Sequence, residues 1–166
     1  LPKLFVDPKT YTATKLGEIF TININITNAH NLTGFDFKLS YNTTLLTALD
    51  AVEGPLPKPP INLIERRICD SEGYVWVAIT CSRTEGNGTL AMITFNATYA
   101  WSASCALHLY DTELIDFYGD PIPHNVEDGN YEFVILGITV ATDKHSYLLG
   151  ENVEIHGNLT LDGSPH

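Results

Sequence analysis

Apolar and polar side chains alternate along much of this chain, and a period of two is typical of a β-strand with one buried face. The first alternating run covers residues 18–27 and the second covers residues 34–41, with a polar turn at 28–31 between them. These runs predict two strands that could pair with each other in antiparallel fashion. The pattern directs the following side chains toward a core: Phe20, Ile22, Ile24, Ile26, Phe35, Phe37, Leu39 and Tyr41.

The same alternation returns after residue 73 and predicts further strands. In the first of these later runs both sides are apolar, so the side that carries Tyr74 and Trp76 could face either solvent or the core. The later runs are residues 74–81, 90–99, 105–110 and 130–135.

Turn and loop residues separate the predicted strands. A Gly-Asn-Gly sequence at 86–88 predicts a turn, four prolines within 55–60 predict an extended surface connection, and glycine and proline within 116–129 predict a loop. Residues 42–49 are long enough for one helical turn at most. About eight short strands without a helix indicate an all-β sandwich.

A boundary is predicted at Gly137, which divides the chain into a sandwich domain, 1–136, and a C-terminal segment, 137–166. Residues 138–142 and 152–161 could each form a strand. Two strands alone cannot bury an apolar face. The segment is therefore expected to begin a second sandwich or to donate strands to a partner.

Three stretches resemble cohesin modules: GEIFTINI at 17–24, LTGFDFKLSY at 32–41 and GTLAMITF at 88–95. Similar modules also occur in archaeal surface proteins. The resemblance implies a nine-stranded jelly roll with a non-catalytic role. It also implies that a dockerin would dock on the outward residues of 34–41, 74–81 and 90–99, where Asp36 occupies a position that is often a polar contact.

The C-terminal segment is similar to the start of macroglobulin-like or Ig-like modules of surface proteins. Those modules form tandem arrays, so the similarity implies a further module. The similar stretches are VATDKHSY at 140–147, GENVEIHG at 150–157 and LDG at 161–163.

The sequence is unusually rich in N-glycosylation sequons of the Asn-x-Thr type. Independent placement of its asparagine, serine and threonine residues predicts about two sequons, whereas six are present. None of the asparagines falls on a predicted core face, so we expect attached glycans, and a glycan at Asn96 would obstruct docking on its face. The sequon asparagines are Asn25, Asn31, Asn42, Asn87, Asn96 and Asn158.

The net charge and the hydropathy of the chain limit the partners and the locations that we expect for it. The formal net charge of −11 would repel nucleic acid and anionic membranes. No stretch approaches the length of an apolar membrane span, and the start at Leu1 shows no signal peptide, so we expect a processed chain or a fragment. An extracellular or cell-surface location follows from the sequons.

Three cysteines allow one disulfide. Cys69 and Cys81 bracket a turn at 70–73, and a regular hairpin would not place them opposite each other. A Cys69–Cys81 bridge therefore requires residues 62–70 to fold back irregularly. We favour this bridge over Cys81–Cys105.

The remaining chemistry favours a non-catalytic protein. No nucleophile elbow or phosphate loop is present, and the histidines lack metal-ligand spacing, so no metal site and no cofactor beyond covalent glycans is expected. Calcium is conceivable at acidic loop residues, although they form no calcium-binding motif. Those residues are Asp111, Asp116, Asp120, Glu127 and Asp128.

Two functional hypotheses remain. The first is a glycosylated extracellular structural or adhesion module that builds a surface layer or filament with copies of itself or other surface proteins, by donating its C-terminal strands. The second is a recognition module for protein or polysaccharide within a longer surface protein. In that case Tyr74 and Trp76 could form a sugar-stacking platform, with Asp36 on the same binding face.

Overall fold

The computed structural model describes residues 1–142, 144, 146, 148–150, 152–161 and 164–165. Every regular element within these residues is a β-strand. The strands are β1 (Lys3–Asp7), β2 (Thr10–Ala13), β3 (Ile19–Ser40), β4 (Leu46–Glu53), β5 (Lys58–Cys69), β6 (Tyr74–Ala97), β7 (Ala103–Asp116), β8 (Asn125–Glu127), β9 (Gly129–Phe133), β10 (Leu136–Thr142), β11 (Ile155–Leu161) and β12 (Ser164–Pro165).

Strands β1–β9 form one sheet that folds into two layers at the long strands β3 and β6. The first layer runs β4-β6-β3-β1-β8 and uses residues 19–26 of β3 with 88–96 of β6. The second layer runs β5-β6-β3-β7-β9-β2 and uses the other halves of these two strands. The predicted jelly-roll β-sandwich of about nine strands is confirmed.

The two long strands correct the predicted hairpin. The runs 18–27 and 34–41 do not pair with each other, because they are successive halves of β3, and both pair with β6. The turn residues Asn28 and Asn31 adopt positive φ angles of 55° and 54°, and Gly86 on β6 has a φ of 100°. These residues bend the strands from one layer into the other. The alternation resumes after the bend with its buried side chains at odd instead of even positions, a shift that a hairpin could also show, so the local pattern does not separate a bent strand from a hairpin.

The core lies between the two layers. Every side chain that the alternation of β3 directs inward is buried. The layers meet through aromatic contacts: the rings of Tyr41 and Phe95 lie 5.1 Å apart edge to face, and those of Phe20 and Tyr131 lie 5.5 Å apart and stacked. Each fully buried Ile, Leu or Phe contributes about 1.5–3 kcal/mol of transfer free energy.

Three segments fold differently from the prediction. Pro59 and Pro60 lie within the start of β5, which pairs only with β6, and an edge strand tolerates residues without an N–H group. Residues 43–45 form a turn that leads into β4 and not into a helix. The predicted loop 116–129 contains the short strand β8.

The C-terminal segment forms a separate sheet of order β10-β11-β12. Both predicted strands are present, with Leu136 paired to Leu161 and Thr142 paired to Ile155, and a third short strand follows. The domain boundary at Gly137 stays a prediction. Several residues of the macroglobulin-like or Ig-like stretches lie outside the described residues: Asp143, His145, Tyr147, Glu151, Asp162 and Gly163.

The predicted Cys69–Cys81 bridge is not formed. Cys69 lies opposite Tyr74, whereas Cys81 lies seven residues further along β6, so their Cα atoms are separated by roughly 20 Å, far beyond the span of a disulfide. Residues 65–69 pair with 74–78 in regular register, and the register shift between Leu63 and Glu65 is not the fold-back that the bridge requires. Cys69, Cys81 and Cys105 are all free.

Candidate functional site

The outward side chains of four neighbouring strands form one broad surface on the second layer. The order is β5-β6-β3-β7, and we call this surface the β5–β7 face; its residues on β6 and β3 are 74–80 and 34–40. Val75, Val77 and Ile79 point into the core, so Tyr74 and Trp76 point outward. The structure thereby resolves the ambiguity of this run.

A row of cationic and aromatic side chains crosses the middle of the face. The strand registers align Arg67, Trp76, Lys38 and Tyr110. The Lys38 ammonium lies 5.3 Å from the centre of the Trp76 ring and 5.8 Å from that of Tyr110, and the Arg67 guanidinium lies 5.5 Å from the Trp76 ring. The half-buried indole is therefore flanked by cations from both neighbouring strands. Its use as a sugar-stacking platform stays a prediction.

Asp36 lies beside this row and contacts it directly. The Trp76 Nε1–H donates a hydrogen bond of 2.7 Å to Asp36 Oδ1. Burial raises the pKa of Asp36, and the charges of Glu113 and Asp111 add to this effect, while the Trp76 hydrogen bond and Lys38 oppose it. Two of the three predicted binding residues are thus joined, and Tyr74 lies one row away, opposite Ser40.

The charges of the face are partly paired. Lys38 forms an ion pair of 3.0 Å with Asp111, which raises the pKa of Lys38, and Arg67 forms one of 3.3 Å with Glu65. Asp36 and Glu113 lie opposite each other on β3 and β7. Within the described part of the chain neither carboxylate has an ion-pair partner. The face thus carries uncompensated negative charge beside its apolar end.

An apolar hollow of about 190 Å³ lies at that end of the face. Gly34 and Ala78 leave room in the middle of the sheet, and Ile64 and Ile115 rise on either side. A Cβ added at Gly34 would meet its neighbours at ordinary distances of 3.5–3.7 Å, so crowding does not require glycine there. Sequence reasoning missed the hollow, although glycine inside a strand is a signal for such a site.

A hydrogen-bonded loop with two exposed aromatic rings follows β7. Phe117 and Tyr118 are 64% and 79% exposed and contact each other edge to face at 5.6 Å. The Asp116 carboxylate holds the loop by accepting hydrogen bonds from the backbone N–H groups of Tyr118 and Asp120, at 2.8 and 2.9 Å. The sequence prediction treated this segment only as a loop and a possible source of calcium ligands.

The acidic residues considered for calcium have other contacts. Asp111 pairs with Lys38, and Asp128 lies 2.7 Å from His108. Glu127 accepts from Lys3 at 2.8 Å and Lys9 at 2.5 Å, and these bonds lower its pKa to about 2. Among the described residues no group of three or more His, Cys, Asp or Glu side chains could hold a metal ion. The expectation of no metal and no cofactor stays a prediction.

The sequon asparagines lie in the first layer, at the bends, after the end of β3 and in the C-terminal sheet. Asn96 pairs with Thr47 of β4 and Ile19 of β3, which places it in the first layer and not on the β5–β7 face. The assumption that Asn96 lies on the same face as Asp36 is therefore wrong. The error arose because residues 74–81 and 90–99, taken as one surface, belong to different layers of the sandwich. Asn25 also lies in the first layer, and Asn31 and Asn87 lie at the bends.

The two layers and their strand order define a β-sandwich module of the jelly-roll class. The family model for the cohesin domain matches residues 5–105, more than half of the chain. The chain belongs to the cohesin family, whose members are non-catalytic modules that mediate protein–protein interaction. Cohesin modules are typically found outside the cell or on its surface.

Solved cohesin structures share the fold. A non-cellulosomal cohesin of the archaeon Archaeoglobus fulgidus is 20% identical with a TM-score of 0.65, over 80% of this chain and 90% of that one. A Clostridium thermocellum cohesin, in a cohesin–dockerin complex, is 14% identical with a TM-score of 0.67, over 80% and 93%. The seventh ScaB type I cohesin of Pseudobacteroides cellulosolvens is 17% identical with a TM-score of 0.66, over 89% and 98%.

No curated protein matches the chain. Within the described residues, no helix has the length and apolar character needed to cross a membrane.

Proposed function

We propose that this module binds a small helical partner of the dockerin type through the β5–β7 face and has no catalytic role. The observation that carries the proposal is the contact between Trp76 and Asp36 at the centre of the face, bordered by the cations Lys38 and Arg67. Tryptophan and arginine are enriched among the residues that dominate binding energy. The complex of the C. thermocellum cohesin supplies the class of partner.

The surroundings of this centre support a protein partner. Ile64, at 66% exposure, adds apolar area at the hollow, and the loop that follows β7 carries the exposed rings of Phe117 and Tyr118. A contiguous exposed apolar patch with a polar border is typical of a protein-interaction site. The partner would bury this patch and gain specificity from the charged row.

A display experiment tests the proposal. A yeast-displayed library of dockerin modules is selected on unglycosylated protein, and the affinity of each binder is measured by calorimetry. Trp76→Ala should weaken binding at least about 30-fold, as expected for a residue at the centre of an interface. Thr94→Ala on the first layer is the matched control and should leave affinity unchanged. Failure to obtain a binder, or equal loss with both variants, would contradict the proposal.

We also propose that the protein is an N-glycosylated extracellular protein. All six sequon asparagines lie outside the core, with Asn42, Asn87 and Asn158 exposed and Asn25, Asn31 and Asn96 half-buried. Intact-glycopeptide mass spectrometry of native material should find sugar on several of them. Six unmodified asparagines would overturn this proposal.

A second candidate function is assembly into a surface layer or filament. Among the described strands, β10 stands at the edge of a sheet that is separate from the sandwich, and edge strands are common sites of pairing with another chain. Because β10 and β11 already pair with each other, edge pairing requires less rearrangement than complete strand donation. Electron microscopy of the full chain should show filaments under this hypothesis, and monodisperse particles at high concentration would count against it.

A further inference from the structure

The six sequons avoid the β5–β7 face. The four strand segments of that face contain one asparagine, Asn62 on β5, and its sequence Asn-Leu-Ile is not a sequon. Asn25 and Asn96 lie on the outer face of the first layer, on the far side of the core. Asn42 follows the end of β3, where its side-chain oxygen accepts a hydrogen bond of 2.8 Å from the N–H of Thr44.

The outer face of the first layer differs chemically from the β5–β7 face. Its central strands carry hydroxyl and amide side chains that contact each other: Thr21 and Thr94 lie 3.0 Å apart, and Thr89 donates to Asn25 at 2.7 Å. Side chains on the two outer faces point in opposite directions, because the inner faces share one core. Sugars attached at Asn25 and Asn96 would therefore extend away from the β5–β7 face.

Exposed apolar side chains provide a second, independent observation. Ile64 is exposed and lines the hollow, and Phe117 and Tyr118 are exposed on the loop that follows β7. Glycans are bulky and solubilising. Neither β5 nor this loop carries a sequon, on a chain that has six elsewhere, and this fits a surface kept clear for contact with a protein. The nearest sequon is that of Asn31 at the bend, whose Thr33 lines the hollow.

We infer that N-linked glycans cover the outer face of the first layer and the bends of the sandwich and leave the β5–β7 face bare, so that the glycosylated module presents one open face to a protein partner. The role of this face rests on the proposed function. The division of glycans between the two faces rests on the proposed N-glycosylation and on the positions of the sequons in the fold. Labelling that accelerates at both positions overturns the division alone, whereas six unmodified asparagines overturn the proposed glycosylation.

The test measures how readily a bulky reagent reaches each face, and it does not require a partner protein. Thr21→Cys labels the first layer and Glu113→Cys labels the β5–β7 face, and both positions are exposed. Each full-length variant is secreted from a host that performs N-glycosylation, and is treated with a bulky polyethylene-glycol maleimide before and after enzymatic removal of glycans. Peptide mass spectrometry then measures labelling at the introduced cysteine separately from labelling at Cys69, Cys81 and Cys105.

Removal of glycans should accelerate labelling at Thr21→Cys by about fivefold or more and leave labelling at Glu113→Cys within about 1.5-fold. A matched pair of variants calibrates the assay. Lys38→Asn creates a sequon with Ser40 at the centre of the β5–β7 face, and its glycan should slow labelling at Glu113→Cys. The double variant Lys38→Asn with Ser40→Ala lacks the sequon and should leave labelling at Glu113→Cys unchanged.

Two results would overturn the inference: acceleration at both positions in the protein with its natural sequons, or no glycan at any sequon. Failure of partner binding is observed separately, with unglycosylated protein in the display experiment. The two failures are therefore distinguishable.

Discussion

The indole N–H of Trp76 on β6 donates a 2.7 Å hydrogen bond to the carboxylate of Asp36 on β3. The two residues are offset by one row, since Asp36 lies opposite Ala78 and Trp76 lies opposite Lys38. The bond fixes the orientation of a half-buried carboxylate whose pKa is raised chiefly by burial. Folding thus holds Asp36 in a position where its charge is unfavourable for stability and available for recognition.

We expect Asp36→Asn to stabilise the protein near neutral pH and to weaken partner binding. A carboxyl group whose pKa is higher in the folded than in the unfolded state destabilises the fold when it is ionised, and this penalty disappears once pH falls below the unfolded value of about 3.8. Urea unfolding at a series of pH values should show a gain at pH 7 that vanishes at low pH. Asp111→Asn breaks the Lys38 ion pair and should show no such gain. A loss of stability with Asp36→Asn at pH 7 would contradict the prediction.

Tyr41→Phe should lower the free energy of unfolding by about 2 kcal/mol, the range expected for a hydrogen bond to a charged group. The buried Tyr41 hydroxyl donates to the Asp70 carboxylate, and burial together with this bond raises the pKa of Tyr41. The bond ties the end of β3 to the turn between β5 and β6. Chemical denaturation measures the change, and Tyr74→Phe, which removes a hydroxyl on the outer face, is the matched control with an expected effect near zero.

Acid should weaken the attachment of β8 to β1. The pKa of Glu127 is lowered from 4.5 to about 2 by hydrogen bonds from Lys3 and Lys9. Because the folded pKa is depressed, the stability from Glu127 is fully present above about pH 4.5 and is lost as the pH falls toward 2. Glu127→Gln should flatten the pH dependence of thermal unfolding in this window. Glu53→Gln alters an exposed residue of β4, and should leave the dependence as in the wild type.

Two glycines should respond in opposite ways to alanine. Gly34 has ordinary space for a Cβ, so Gly34→Ala should preserve stability within about 1 kcal/mol, while it makes the hollow shallower and weakens binding of a partner that enters it. At Gly54 an added Cβ would lie 2.3 Å from the carbonyl oxygen of Thr89, so Gly54→Ala should destabilise by about 2 kcal/mol or more. Calorimetric unfolding of both variants gives the comparison. Equal destabilisation by the two substitutions would contradict the prediction, because an added methyl group at Gly34 would then have no more room than one at Gly54.

Period-two alternation determined the strand content and the inward side chains. Phe35, Phe37 and Leu39 are buried as predicted, because side chains of a strand that packs on one face must alternate. The sequence also determined the family, since the matched stretches of residues 5–105 encode that alternation together with its turns. The resemblance implied a contact role for Asp36, whereas the alternation left open whether Tyr74 and Trp76 face solvent or the core, because both sides of their run are apolar.

Only the tertiary structure decided which halves of β3 and β6 lie in the same layer. Alternation reports the side of a strand and carries no information on its neighbours, so a bend at Asn28–Asn31 and a hairpin gave the same prediction. Pairing over long sequence distances placed Asn96 away from Asp36 and brought Gly34, Ile64 and Ile115 around one hollow, and the register of the β5–β6 hairpin separated Cys69 from Cys81. Those distances depend on which strands hydrogen bond to each other, and the packing of the whole core selects that arrangement.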